Sequence, residues 1–149
     1  MNLTTENIRV IKNVLVSAKT AGMLAIVISD NMVKAINPSF KAAFFSDVNL
    51  DFGDIILAIP NVAELHKRIS IYDDASISFD LKDYDVDGIT KKLVRKITIK
   101  GKSSKIEYRC ADPRTIKHPK TNSDTELGQF SITKADIKLL VKGCKTMNA

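Results

Sequence analysis

The chain has 149 residues, of which 44% are hydrophobic and 27% are charged. This length suits one full domain with the start of a second, and it allows a core that needs neither disulfides nor metal. Two cysteines, Cys110 and Cys144, are too few for a secreted disulfide framework. The sequence shows no apolar signal segment and no run of about 18 apolar residues, the length that spans a bilayer. We therefore expect a cytoplasmic protein without a membrane partner.

Charge is distributed unevenly along the chain. The formal net charge is +6, but residues 1–89 carry 8 Lys and Arg against 12 Asp and Glu, whereas residues 90–149 carry 15 against 5. Such asymmetry is typical of a surface that meets a polyanion, for which nucleic acid is the usual candidate. A solubilising coat of lysines explains the composition equally well, so the placement of the charges has to decide.

The first half of the chain predicts a helix followed by strands. Thr4 is suited to cap a helix that runs to Lys19, and Gly22 follows its end. Apolar residues then recur in short β-branched or aromatic segments separated by turn residues, which predicts an antiparallel meander. Its four predicted strands are Met23–Ile28, Met32–Ile36, Phe40–Phe45 and Ile55–Ile59.

A second helix and three more strands are predicted next. Asn61 is a plausible cap, and Val62, Leu65 and Ile69 share the buried face of the helix. The three strands are predicted at residues 75–81, 93–99 and 104–108, the last two joined by a turn at residues 100–102. Residues 111–127 lose apolar periodicity and gain two prolines, which is linker composition. We therefore predict a first domain at 1–110, a linker at 111–127, and a strand and helix at 128–149.

The last segment resembles the first. A shift of 129 positions aligns Leu3, Thr4 and Ile8 with Ile132, Thr133 and Ile137. A capping threonine, an apolar helix face and a basic residue recur in register, as expected for the opening of a second copy of the first unit. Two unrelated amphipathic helices would share some of this pattern, because they share a period.

The C-terminal helix carries a stripe of lysines. Thr133 and Asp136 stand at capping-box positions, and at about 100° per residue the lysines fall within an arc of about 80°. A row of ammonium groups suits the phosphates of duplex DNA, although for one helix alone a solvated face is the more ordinary explanation. The stripe consists of Lys134, Lys138, Lys142 and Lys145.

No catalytic or metal motif occurs. Asp83–Gly88 matches the first half of a calcium loop, but position 12, which should be a bidentate Glu, is Val94. We interpret this stretch as an acidic hairpin tip. The two histidines, His66 and His118, have no neighbours at metal-ligand spacing. We expect neither cofactor nor metal, and no enzymatic activity.

The order of elements and three stretches of sequence resemble the DNA polymerase sliding clamps of tailed bacteriophages. The stretches are LTTENIRVIKNVLVSAKTAGML, NVAELHKRISIYDDASIS, and YRCADPRTIKHPK followed by FSITKADIKLLVKGCK. The resemblance implies an α+β clamp domain in which two helices pack on curved antiparallel sheets and line a central hole. It also implies a processivity factor in viral DNA replication, acting in the host cytoplasm on double-stranded DNA, with a polymerase and a clamp loader as partners.

Carried over by position, the resemblance implies residues that contact DNA and residues that join subunits. The implied DNA contacts are Arg9, Lys12, Lys19, Lys134, Lys138, Lys142 and Lys145, with Lys67 and Arg68 as weaker candidates. The implied interface strand, which would add to a neighbour's sheet, consists of Ser104, Lys105, Ile106, Glu107 and Tyr108.

The family's second domain extends further than residues 128–149. For this chain by itself we therefore expect a monomer or an edge-paired dimer, whereas a homo-oligomeric ring is expected of a full-length family member. The alternative to a clamp is a stand-alone basic module that binds nucleic acid or protein without forming a ring.

Overall fold

The computed structural model describes residues 1–37, 43–117 and 131–147. The helices are α1 (Thr5–Thr20), α2 (Val62–Ile69) and α3 (Lys134–Met147). The strands are β1 (Ile26–Ser29), β2 (Met32–Ile36), β3 (Ala43–Asp47), β4 (Ile55–Ile59), β5 (Ser76–Val86), β6 (Ile89–Lys100) and β7 (Lys105–Arg109). The predicted α+β class and the predicted order of helix, four strands, helix and three strands are confirmed.

Local capping explains where the first two helices begin. The Thr4 hydroxyl accepts a hydrogen bond from the Asn7 backbone N–H at 3.2 Å, and the Asn61 side chain accepts from the Glu64 N–H at 3.0 Å. Each cap satisfies one of the backbone donors that a helix leaves unpaired at its start. After α1, Gly22 adopts φ +77°, a left-handed conformation that glycine reaches without steric cost.

The seven strands form one sheet whose topology differs from the predicted meander. The main path runs β3-β2-β1-β4-β6-β5, so β4 pairs with β1 rather than with β3, which precedes it in the chain. The prediction was wrong here because all five β4 residues are buried, and a strand buried along its whole length pairs with a strand on each side. One pairing, β4 with β6, is parallel, and the others are antiparallel. Predicted strand ends also shifted: β1 begins at Ile26 rather than Met23, and residues 38–42 lie outside the described part.

The N-terminal residues extend the sheet. Leu3 donates a backbone hydrogen bond to the Ile77 carbonyl at 2.8 Å, and Phe79 donates to the Met1 carbonyl at 2.7 Å. Residues 1–109 therefore contain the same order of elements twice, namely a strand-like segment, a helix and three strands. In the second pass β4 takes the place of the N-terminal segment.

The core lies between the sheet and the two helices. Helices α1 and α2 pack against each other, and their buried residues include Ile11 and Leu15 from α1 and Leu65 from α2. Ile26 and Ile28 of β1 point into this core, whereas Val27 between them points to the opposite face. Side chains alternate along a strand, so both helices cover the same face of the sheet. We call this the helical face.

A short segment covers part of the opposite face. Residues 113–115 form a 3₁₀ turn, after which Ile116 is buried against Val27, Ile56 and Leu93. The folded unit thus extends past residue 110, where its end was predicted, because Ile116 and Pro113 are buried despite the polar composition around them. We call residues 111–117 the strap; the rest of the predicted linker, 118–127, lies outside the described residues.

Polar contacts fasten the strap to β5. The Tyr84 hydroxyl donates to an Asp112 carboxylate oxygen at 3.0 Å, and the Arg114 guanidinium pairs with the same carboxylate at 2.7 Å. Arg114 also lies over the Tyr84 ring at 5.5 Å. Its hydrogen bonds are the main reason that the pKa of Asp112 lies well below the usual range of a carboxyl group.

Candidate nucleic-acid interface

The basic side chains of α1 lie outside its buried stripe. Arg9 is exposed and pairs with Glu6 one turn earlier, and this pairing lowers the pKa of Glu6. Lys12 is half-buried and Lys19 is exposed, and neither forms an ion pair with any residue that the structure describes. These two lysines are therefore the cations of α1 that are available to a phosphate.

On α2 the two candidates behave differently. Lys67 is exposed and unpaired within the described ranges. Arg68 pairs with Glu64, donates to the Glu107 carbonyl at 2.6 Å, and lies 5.5 Å from the centre of the Tyr108 ring. Arg68 therefore connects α2 to β7, and its charge is already balanced within the protein.

Helix α3 begins as predicted, at a capping box. Thr133 N–H donates to the Asp136 carboxylate at 2.9 Å, and Asp136 N–H donates to the Thr133 hydroxyl at 3.1 Å. The strand predicted before the helix is absent at residues 131–133, and residues 128–130 lie outside the described part. Every residue from 131 to 146 is exposed, which includes Cys144 and the four lysines of the stripe: Lys134, Lys138, Lys142 and Lys145.

The predicted interface strand is an edge strand. Within the described residues β7 pairs with β6 only, and β3 pairs with β2 only. Ser104, predicted as part of the strand, precedes it. Ile106 and Tyr108 belong to the core on the helical face, so a neighbour would meet the backbone edge of β7 rather than these side chains.

Tyr108 ties β7 to the start of α2. Its ring is buried, and its hydroxyl accepts from the Asn61 N–H at 3.0 Å and donates to the Asn61 carbonyl at 3.1 Å. Burial raises the pKa of Tyr108 to about 12. This pair of bonds fixes the edge strand relative to the helical layer.

A second basic surface, absent from the sequence predictions, lies on the face opposite the helices. Pairing of β6 with β7 places Lys96 opposite Arg109, Thr98 opposite Glu107, and Lys100 opposite Lys105. Ile97, Ile99, Ile106 and Tyr108 alternate with these residues and point into the core, so the charged side chains point the other way. We call Lys96, Lys100, Lys105, Glu107 and Arg109 the sheet ladder. Alternation of polar and apolar residues in both strands is visible in the sequence, but which residues stand opposite each other depends on the turn.

The acidic stretch forms a hairpin tip, as predicted. Asp83, Asp85 and their neighbours lie in β5, and a two-residue turn at Asp87 and Gly88, both with positive φ, leads into β6. Asp83 pairs with Lys92, and Asp85 accepts from the Thr90 hydroxyl at 2.9 Å. These carboxylates therefore hold the two strands together.

Other site chemistry is limited in the described part of the chain. No group of three or more His, Cys, Asp or Glu residues there could hold a metal ion, and no helix there is long and apolar enough to cross a membrane.

Cys110 is partly buried, and burial raises the pKa of its thiol to about 12, which disfavours the reactive thiolate. His118 lies outside the described residues.

The fold and these surfaces define an α+β domain with two helices on one face of a mixed sheet and cations on both faces. No protein-family model and no curated protein sequence matches this chain.

Proposed function

We propose that this chain acts as a sliding-clamp processivity factor. In this proposal subunits join into a homo-oligomeric ring that encircles duplex DNA and tethers a replicative polymerase, with a clamp loader as a further partner. The ring replaces the monomer or edge-paired dimer that the sequence predicts for this chain, because two different strand edges, on β3 and β7, are unpaired within the described ranges. In this proposal the chain contacts DNA through phosphates without reading sequence, and it tethers the polymerase without performing catalysis itself.

The observation that carries the proposal is the pairing of α1 and α2 on one face of a single sheet. The helical layer presents Lys12, Lys19 and Lys67, none of which is paired with a described acidic residue. Phosphate contacts of this kind supply affinity and position without specificity. A layer of helices towards DNA with strands outside is the arrangement that the resemblance to sliding clamps implies.

Edge strands support assembly of copies by strand addition. Strands β3 and β7 each have one edge unpaired within the described ranges, and β7 is held rigidly by Tyr108 and Arg68. A rigid, unpaired edge is a template for a strand of another chain. Two different edges on one subunit would give head-to-tail contacts, which close into a ring if the rotation is suitable.

Topology distinguishes a ring from a direct binder. The chain is mixed with nicked circular duplex or with the same plasmid linearised, at a protein concentration where light scattering detects oligomers, and the mixture is passed through a sizing column in about 0.5 M salt. Exposed phosphate contacts are largely screened at this ionic strength. A ring is retained on the circle and slides off the ends of the linear DNA.

Equal retention on both DNA forms, or loss from both, would contradict encirclement. Triple substitution of Lys12, Lys19 and Lys67 by Gln provides a further test at about 0.1 M salt, where phosphate contacts are screened less, since we expect it to shorten retention on the circle while leaving the oligomer intact. Lys34→Gln, on β2, is the matched control, because its side chain lies outside the helical layer.

The second candidate function is a basic module that binds nucleic acid directly, without a ring. The sheet ladder is the observation that favours it, since four cations there lie outside the helical layer. Equal retention on circular and linear DNA at low salt, with complete loss at high salt, is the result expected from such a module.

A further inference from the structure

We infer that the sheet ladder is a second binding surface for the phosphate backbone of duplex DNA, on the face opposite the helices. The inference does not depend on ring formation. It rests on the register of β6 and β7, on the charges that this register brings together, and on the chemistry of the side chains around them.

The hydrogen-bond pattern of β6 and β7 shows how close the facing residues of like charge lie. Gly101 N–H donates to the Ser104 carbonyl at 2.8 Å, and Cys110 N–H donates to the Arg95 carbonyl at 3.1 Å. Hydrogen-bonded and non-hydrogen-bonded pairs alternate along an antiparallel ladder, so Lys100 and Lys105 form a non-hydrogen-bonded pair. Facing Cα atoms in such pairs are about 4.5 Å apart, and like charges directly opposite each other are destabilising.

The same argument applies to Lys96 and Arg109, the pair at the other end of the ladder. Along β6 the two like-charged pairs are four positions apart, a distance of about 13 Å at the rise of a β-strand. The two pairs therefore present a row of positive charge rather than a pocket around one anion. Duplex DNA carries one negative charge per about 1.7 Å of its axis, so a duplex offers several phosphates over that length.

Two carboxylates lie among these cations, and one of them, Asp80, which stands opposite Lys96 in β5, is already paired with Arg95. Glu107 pairs with Lys96 at 3.1 Å and with Lys105 at 3.7 Å. The hydrogen bond from Lys96 is the main reason that the pKa of Glu107 is lowered, so Glu107 stays ionised at neutral pH. Lys100 and Arg109 remain exposed and have no ion pair among the residues described. The ladder therefore keeps an excess of positive charge that its own acidic residue does not balance.

The chemistry of the ladder favours a duplex over single-stranded nucleic acid. Proteins that hold single strands stack bases on aromatic side chains, and none of the five ladder residues is aromatic. Tyr108, the aromatic residue in β7, points into the core on the other face. A flat row of lysine and arginine side chains can contact phosphates but has no platform for bases.

Affinity for a linear duplex of random sequence, measured at several salt concentrations, tests the inference. Double substitution of Lys100 and Lys105 by Gln removes two cations while keeping the length of both side chains. If both contact phosphate, the slope of log K against log salt becomes shallower by about 1.8, and binding weakens by about 60-fold at 0.1 M salt. Lys34→Gln is the control from the same sheet, and we expect it to leave the slope unchanged.

A gain of affinity gives a test that misfolding cannot imitate. Glu107→Gln keeps the shape of the side chain and removes the one negative charge of the ladder. We expect it to bind linear duplex more tightly than the unmodified chain. In addition, Lys100→Glu places a carboxylate opposite Lys105, so we expect a raised melting temperature together with weaker DNA binding.

Four results would overturn the inference. One is an unchanged affinity and salt slope in the double variant, and another is unchanged or weaker binding by Glu107→Gln. The third is a change of oligomeric state in the double variant with unaltered DNA affinity, which would make the ladder a contact between protein chains. Loss of linear-duplex binding on substitution of Lys12 and Lys67 alone would place the contact on the helical layer. Retention of the unmodified chain on circular DNA at high salt tests the ring separately.

Discussion

Replacement of Tyr108 by Phe tests how the edge strand is held. The variant keeps the buried ring but removes the hydroxyl that accepts from the Asn61 N–H at 3.0 Å and donates to the Asn61 carbonyl at 3.1 Å. Asn61 is the residue that caps α2. The substitution therefore removes the partner of the Asn61 N–H and one of the two partners of the Asn61 carbonyl, which still accepts from the Leu65 N–H at 3.2 Å.

The magnitude follows from those two bonds. A typical intramolecular hydrogen bond contributes about 1 kcal/mol net, so we expect Tyr108→Phe to lower the free energy of unfolding by about 2 kcal/mol. For a folded unit of this size, the melting temperature should fall by about 8 °C. Tyr72→Phe is the matched control, because the Tyr72 hydroxyl bonds the Ser104 hydroxyl in an exposed position. We expect that control to lose less than about 0.5 kcal/mol.

Urea denaturation followed by circular dichroism measures both variants. The midpoint should move and the m-value should not, because the folded state stays equally compact. If Tyr108→Phe cost no more than Tyr72→Phe, the two bonds to Asn61 would not stabilise the fold, and our account of how β7 is anchored would be wrong.

The same residue predicts a pH dependence. Burial raises the pKa of Tyr108 to about 12, above the ordinary value of 10, so the folded state favours the neutral phenol. The stability from this preference is complete below pH 10 and is lost as the pH rises through 12. The stability advantage of the unmodified chain over Tyr108→Phe should therefore shrink between pH 10 and pH 12. A constant difference across that range would contradict the assignment.

Two further predictions concern the turn after β6 and the strap. Gly101→Ala would place its methyl group 2.6 Å from the Cδ1 and Cε1 atoms of the Tyr72 ring, so we expect a loss of about 1–3 kcal/mol on urea denaturation. That loss should nearly vanish when Tyr72 is also changed to Ala, and a persisting loss would show that the clash is not its cause. Ile116→Ala removes the buried side chain of the strap and should lower stability by about 2 kcal/mol. Limited proteolysis should then cleave residues 111–117 faster, whereas an unchanged cleavage rate would mean that Ile116 does not hold the strap down.

Features governed by neighbouring residues were predictable from the sequence. Capping residues Thr4, Asn61 and Thr133 each bond a donor three positions away, so the residue type and spacing sufficed. The hairpin at Asp87 and Gly88 was predictable for the same reason, since this dipeptide suits a turn with two positive φ angles.

Features that depend on distant partners were not predictable. The sequence places β4 next to β3, but β4 pairs with β1 and β6, because a strand buried along its whole length needs neighbours on both sides. The strap has the prolines and polar residues of a linker, and only its position over Val27 and Leu93 explains why Ile116 is buried.

The candidate site was predictable in part for a similar reason. Periodicity identified the exposed cations of α1, but it could not show that Arg68 would contact the Glu107 carbonyl, which lies 39 residues away. The sheet ladder was missed because its charge pairs appear only when β6 and β7 are brought into register.

The two successive hairpins of residues 76–109 have a kinetic consequence. Strands β5, β6 and β7 are neighbours in the chain as well as in the sheet, so closing them requires only short loops. Pairing of Asn2 with Ser78, in contrast, must join segments that are more than 70 residues apart. Contacts between near neighbours form faster than distant ones. We therefore expect that, during refolding, the backbone amides of β5, β6 and β7 become protected from hydrogen exchange first and those of the amino-terminal residues last.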